Sequence, residues 1–204
     1  MNWRVTLILK CVVLLLVGNT IVYGQGKGST MKPLELKIMS FNIQYGNDYW
    51  GESNLRSVVK IIQEERPHLV ALQGVDSVEV DGRLRHKLRQ IAIQTGMYYV
   101  YGETEGITNG SKGIGILSRF APSKVQKFML PDGPLNSGGR STVSPRALLC
   151  AYVEYALGRG LRFCCSRIEY ANGSERLLQA AFVNGLLNES IQPVILGIDL
   201  GAKP

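Results

Sequence analysis

Two spacings of apolar residues organise the chain. Residues 34–43, LELKIMSFNI, alternate and then end apolar, which predicts a strand with Asn42 at its C-terminal end. In 54–67, Leu55, Val58, Val59 and Ile62 fall at helical spacing and Pro67 closes the run, so a helix is predicted there. HLVALQ, residues 68–73, is an apolar run of strand length. Residues 83–96 place Leu84, Leu88 and Ile91 on one helical face and stop at Gly96, which predicts a second helix with a glycine end. Five stretches then read as strands: 98–102, 113–119, 125–130, 146–155 and 161–170. Residues 131–145 have the composition of a loop. A third helix is predicted over 174–189, with Ser174 as N-cap and Leu177, Leu178, Ala181, Leu186 and Leu187 supplying much of its apolar side. PVILGID, 193–199, is a last buried strand. The order is β-α-β-α, a run of strands, then α-β, without repeats. That order suits an α/β protein with more than one sheet and helices on the outside.

The N-terminus changes this picture. Arg4 precedes the apolar run 11–18, and Val22 and Gly24 fit the small positions before a cleavage point ahead of Gln25. This predicts a secretory signal peptide over 1–24, a flexible lead-in over 25–33 and one domain over 34–204. The alternative is an uncleaved membrane anchor. Residues 5–23 are nearly long enough to span, but Lys10 interrupts them. A charge at a helix centre costs about 2.5–3.5 kcal/mol on insertion scales. The chain is therefore expected outside the cytoplasm, secreted or, on the alternative, membrane-anchored.

Length and charge add less. The 204 residues suffice for a domain with a real core, and 45% hydrophobic content excludes a disordered chain. The net charge is +7, and losing 1–24 takes Arg4 and Lys10 with it and leaves +5. That excess is compatible with a phosphate-bearing partner or with an ordinary basic surface. Cys11 lies in the signal, leaving Cys150, Cys164 and Cys165, whose spacing suits no zinc site. Neighbours on a strand point to opposite faces, so one of Cys164 and Cys165 could bridge to Cys150 in an oxidising compartment. Alternatively all are small buried core residues.

Chemistry in such folds gathers where strand ends converge. The predicted strands deliver Asn42, then Gln73, Gly74 and Asp76, then Arg146, then Ser166, Arg167 and Glu169, and finally Asp199. With the stretches that carry it, this order resembles the endonuclease/exonuclease/phosphatase superfamily. IMSFNIQYG is similar to that family's opening strand, which ends in a metal-site Asn, and ERPHLVALQGVD to its Leu-Gln-Glu signature. GIGILSRFAP, SPRALLCAYVEY, LRFCCSRIEY, ERLLQAAFVNGLL and VILGIDLGAKP follow in the family's order, over about 34–204. The resemblance implies a four-layered α/β/β/α sandwich of two mixed sheets flanked by helices. It implies phosphoester hydrolysis with Mg²⁺ or Mn²⁺, a hard cation that neutralises phosphate charge on oxygen ligands. Nucleic acid, phospholipid and inositol phosphate are the candidate substrates.

Several site positions depart from the family pattern. Gly74 stands where the main metal-binding Glu is expected, and Arg167 where the His of Thr-His-Leu is expected. His68 replaces an Asp, Ser144 a Glu, Ile198 a Gly, and Gly201 an Asn. The chain stops at Pro204, before the family's closing Ser-Asp-His section, so the domain is expected to be C-terminally truncated. The candidate metal residues are Asn42 and the Gly74 position, Asp199 and Arg167 are the catalytic candidates, and Arg146 and Arg167 the phosphate-binding candidates. Each has a plainer alternative. Asn42 could be a strand-end residue, Asp199 a loop cap, and Arg167 half of a surface ion pair. His68 is expected to be a plain polar residue. His86, Arg83, Arg85, Lys87 and Arg89 are expected on a solvated helix face. Asn-Gly-Ser at 109–111 and 172–174 and Asn-Glu-Ser at 188–190 are glycosylation sequons. Three functions remain: a metal-dependent phosphoesterase with a degraded site, a pseudoenzyme binding module, or a truncated product. In the last two, an uncovered sheet edge would invite a protein partner.

Overall fold

Apolar residues of β2 face both ways, and this decides the architecture. In the computed structural model, described over residues 35–46, 53–80, 83–131, 144–168 and 173–201, β2 (Leu69–Val80) is a central strand. Val70 and Leu72 turn to one side, where they meet Val58, Val59 and Ile62 of α1 (Leu55–Glu65) and Leu88, Ile91 and Ala92 of α2 (Lys87–Thr95). Leu69 and Ala71 turn to the other side, into an inter-sheet core. A strand buried on both faces reads as a continuous apolar run rather than an alternating one.

The first sheet runs β1 (Ile38–Asn42), β2, β5 (Gly110–Ser118), β4 (Tyr98–Ile107), with β3 (Arg83–His86) pairing the far part of β2. The second runs β6 (Pro122–Met129), β7 (Ala147–Ala156), β8 (Arg159–Arg167), β9 (Val194–Asp199). Both are mixed, since β1 pairs β2 and β8 pairs β9 in parallel while the other pairs are antiparallel. Leu149, Val153 and Phe163 of the second sheet close the inter-sheet core against Ile114 and Ile116 of the first. On the outer face of the second sheet, Leu148, Cys150 and Cys164 meet Val183 of α3 (Gly173–Asn188). Three cores between four layers give the expected α/β/β/α order. The sheets approach closely at Gly197 of β9, where a Cβ would stand 2.3 Å from that of Ala71.

Four expectations need correction. β2 does not end at Gln73 but continues to Val80 through a bulge at Gln73–Gly74, where its register on β5 shifts between Leu72 and Val75. The extension offers an edge on which residues 83–86 pair as β3, so of the helix predicted over 83–96 only Lys87–Thr95 is helical. His86 is not solvated. It caps α2 by accepting from the Arg89 N–H, and its ring meets Tyr99 and Tyr101 edge-on. Finally, α3 starts one residue before Ser174 and buries Glu175, Gln179 and Val183, while Leu177, Leu178 and Ala181 face outward. Apolar residues surround this helix, so spacing alone could not choose its inner face.

Cys150 and Cys164 are direct cross-strand partners and form a disulfide, while Cys165 faces the inter-sheet core as a free thiol. Burial pushes its pKa up to about 12, which leaves it inert. The stretches predicted as signal peptide and lead-in, residues 132–143, Glu169 and the sequon at Asn172 lie outside the described residues, as do the side chains of Arg83 and Leu84. No helix among the described residues is long and apolar enough to cross a membrane.

Candidate functional site

The C-terminal ends of β1, β8 and β9, the bulge in β2 and the approach to β7 meet at one end of the sandwich. Gln73, buried at the bulge, spans the sheets there. Its Nε2 donates to Ser40 Oγ (3.2 Å) and Gly197 O (3.4 Å). This amide is framework, placing β1, β2 and β9 relative to one another.

On that frame the structure brings Asn42, Gly74, Arg167 and Asp199 together. Asn42 Nδ2 donates to Asp199 Oδ2 at 2.8 Å, and Arg167 Nε lies 3.4 Å from the same oxygen. Asp199 Oδ1 accepts from the Gly201 N–H at 3.0 Å, the contact a loop cap makes. The Arg167–Asp199 pair is part-buried, with side chains 19% and 26% exposed, rather than a surface salt bridge. Asn42 Oδ1 accepts from the Gln44 N–H at 2.8 Å. Both ends of the Asn42 amide are thus occupied by protein groups.

Gly74 has φ +62°, the left-handed geometry that a bulge residue needs and that glycine adopts without strain. Its missing side chain leaves no open space. A Cβ there would meet Asn42 Oδ1 at 2.6 Å, Gln44 N at 3.2 Å and Tyr45 N at 3.3 Å. The 3-10 turn Gln44–Gly46 lies over the position, with Gln44 and Tyr45 themselves left-handed at φ 50° and 60°. Lys87 holds the turn down. Its Nζ donates to Tyr45 O and reaches Asp76 Oδ2 at 3.0 Å.

Beside the turn a small cleft opens, lined by Tyr45, Gly74, Thr104, Pro145, Arg146 and Arg167. Arg146 is 8% exposed and enters from the residue before β7. Lys112 stands 5.8 Å over the Tyr45 ring and pairs with Glu105 at 3.1 Å. Two guanidinium groups thus line one cleft, and a guanidinium is a planar donor that can match carboxylate or phosphate. His68 lies at the start of β2, stacked on Phe120 and accepting from the Lys37 N–H at 2.9 Å, a structural role. Ser166 is buried and donates to Ala147 O at 2.9 Å.

Residues 39–200 match the model of the endonuclease/exonuclease/phosphatase family. The chain belongs to this family. Solved endonuclease/exonuclease/phosphatase structures share the fold at low identity. The protein from Beutenbergia cavernae DSM 12333 matches with TM-score 0.67 and 17% identity over 81% of this chain and 47% of that one. The family protein from Bacteroides thetaiotaomicron matches with TM-score 0.66 and 19% identity over 84% of this chain and 65% of that one. ANGEL2, a 2′,3′-cyclic phosphatase, matches with TM-score 0.52 and 15% identity over 73% of this chain and 43% of that one. The chain thus spans about half to two thirds of the length of these relatives.

Members of the family generally use a divalent metal. The residues present here do not fit one. Such a cation needs several oxygen ligands with carboxylates among them. Gly74 offers none, Asn42 Oδ1 is spent on Gln44, and Asp199 is paired with Arg167. Among the described residues no group of three or more His, Cys, Asp or Glu side chains could hold a metal ion. Of the residues singled out in the sequence, the structure gathers Asn42, Arg146, Arg167 and Asp199 at this end; Tyr45, Thr104 and the Lys87–Asp76 pair lie beside them and were not singled out as site residues. Lys87 looked like one more charge on a helix face, and only β3 brings it to the bulge.

Proposed function

We propose that this chain is a secreted, phosphoester-binding member of the family that holds its ligand without metal-dependent hydrolysis. One observation carries the reading. Arg146 and Arg167 line the cleft at the strand ends, while the space of the acid's side chain at Gly74 is filled by Asn42 Oδ1 and the Gln44–Gly46 turn. The two guanidinium groups bind the non-bridging oxygens of a phosphate, and Thr104 and the Tyr45 ring flank it. A nucleic-acid end, a phospholipid headgroup and an inositol phosphate all present that group. The similarity to a 2′,3′-cyclic phosphatase supports a phosphate-bearing ligand. The N-terminal apolar run and the Cys150–Cys164 disulfide support an oxidising compartment.

The test is turnover of bis(4-nitrophenyl) phosphate by the purified chain with Mg²⁺ or Mn²⁺ and with a chelator. Rates equal to buffer in every condition are expected. Turnover that a chelator abolishes would overturn the reading.

A further inference from the structure

The core beneath α3 takes in Leu148, Cys150 and Cys164 of the second sheet and stops short of Tyr152 and Arg162, which share that outer face by alternation. Beyond it a groove of about 210 Å³ opens between Lys124 and Gln126 of β6, Tyr152, Arg162 and residues 189–192 after α3. Arg162 precedes Arg167 by five positions on β8, about 17 Å at the rise of a strand, so the groove is separate from the strand-end cleft.

Two cations meet there, each seated on an aromatic ring. Lys124 Nζ stands 5.3 Å over the Tyr152 ring, and the Arg162 guanidinium stands 5.9 Å over the Phe128 ring. Arg162 Nη2 also donates to Gln126 Oε1 at 3.0 Å. Two backbone features serve this placement. Lys124 lies in a bulge, where the register of β6 on β7 shifts between Ser123 and Gln126, and its φ is 46°. A left-handed lysine is uncommon, and strain of this kind, on the order of 1–3 kcal/mol, gathers at functional sites. Gly160 makes room for the ring, since a Cβ there would overlap Tyr152 Oη. The opposite wall is held by Ser190, whose Oγ donates to Gln192 O at 3.1 Å and accepts from the Gln192 N–H at 3.3 Å.

Elsewhere Lys37, Lys60, Lys87, Lys112 and Arg167 each pair with a carboxylate. Among the described residues, Lys124 and Arg162 make no ion pair. Glu189 also lines the groove, so two cations stand against one acid and the groove is left positive.

We propose that this groove is a second anion site, taking a phosphate or sulfate group of a larger ligand between Lys124 Nζ and the guanidinium donors of Arg162 that Gln126 leaves open. A guanidinium carries five N–H donors, and the recorded bond to Gln126 uses one. The groove is smaller than the roughly 300–1,000 Å³ of pockets that enclose a whole ligand, so it holds one charged group and leaves the remainder in solvent. Lys124 is exposed where Arg146 is buried, so affinity is expected to be lower than in the strand-end cleft. The inference does not rest on the function proposed for that cleft.

The experiment is titration of the native chain with sodium sulfate and with sodium phosphate at constant ionic strength, read as amide shifts in ¹H–¹⁵N spectra. Saturable shifts are expected at Lys124, Gln126 and residues 190–192. In Lys124→Gln and Arg162→Gln the affinity read at those amides should fall about fivefold or more, and in Glu189→Gln it should rise. Saturation by either anion supports the proposal, and the tighter of the two names the group. Groove amides that do not saturate with either anion would overturn it, as would an affinity unchanged in both cation variants. If a variant does not fold, the native titration still decides. Shifts at Gly74 and Arg167 report the strand-end cleft in the same spectra, so failure of one site is distinguishable from failure of the other.

Discussion

The two halves of β2 contrast in burial and in charge. Before the bulge, Leu69 to Leu72 are wholly buried, and each fills a family-like position between two covered faces. After it, the strand carries Asp76 into an ion pair and offers an edge to a short extra strand. The divide is Gly74. In the apolar half, packing on both sides constrains side-chain volume at every position. In the polar half, Asp76 is paired with Lys87, and the Gln44–Gly46 turn lies over Gly74, so the space a longer side chain would need there is filled.

The apolar half should be the most sensitive. Leu72→Ala is expected to cost about 2–5 kcal/mol in urea unfolding, the usual range for a large side chain deleted from a core. A loss near zero would mean that β2 is not the centre of the sandwich. Next comes the second sheet. Replacing Cys150 and Cys164 by Ala removes a cross-link over a separation of 14 residues. The expected cost is about 3 kcal/mol, and reductant should reproduce it in the native chain.

Gly74 sharpens the comparison directly. Read from sequence, Gly74→Glu restores a metal ligand. Read from structure, it places a Cβ 2.6 Å from Asn42 Oδ1 at φ +62°. The expected outcome is destabilisation of about 1–3 kcal/mol, with no gain of Mg²⁺-dependent turnover. Gly74→Ala should lose stability without any change of charge. Gain of metal-dependent activity in Gly74→Glu would show that the turn yields easily.

The smallest effect is expected at His86. Burial holds its pKa below the ordinary 6.5, with Arg89 adding to the shift. Asp76 acts in the opposite direction, as does the backbone hydrogen bond. Above 6.5 the imidazole is neutral in both states and pH has no effect through it. As pH falls through 6.5 the unfolded chain takes the proton first, so stability declines. His86→Asn, which keeps an N-capping side chain, should flatten this slope in unfolding measured across that range. An unchanged slope would remove His86 as its source.

Legibility in the sequence followed the same divide. Strands and helices with one-sided or two-sided apolar runs were readable, and so were Asn42 and Asp199, because strand ends mark where chemistry can gather. The bulge was not readable, since Gly74 looks alike as a missing acid and as a left-handed strand residue. β3 was not readable either, because its edge exists only once β2 has passed the bulge. The inner face of α3 was ambiguous for another reason. Gln179 turns inward to donate to Pro131 O at 3.2 Å, while Leu177 stays 73% exposed, an arrangement that hydrophobic spacing cannot anticipate.

The central claim is that this end of the fold takes a phosphate without metal. The direct measurement is calorimetric titration of inorganic phosphate into the native chain, in chelator and in Mg²⁺, beside Arg146→Gln and Arg167→Gln. The account expects the same affinity in both buffers and a drop of roughly tenfold or more in each variant, the scale of a lost charge-assisted hydrogen bond. Binding seen only with Mg²⁺, or unaltered in both variants, would contradict it.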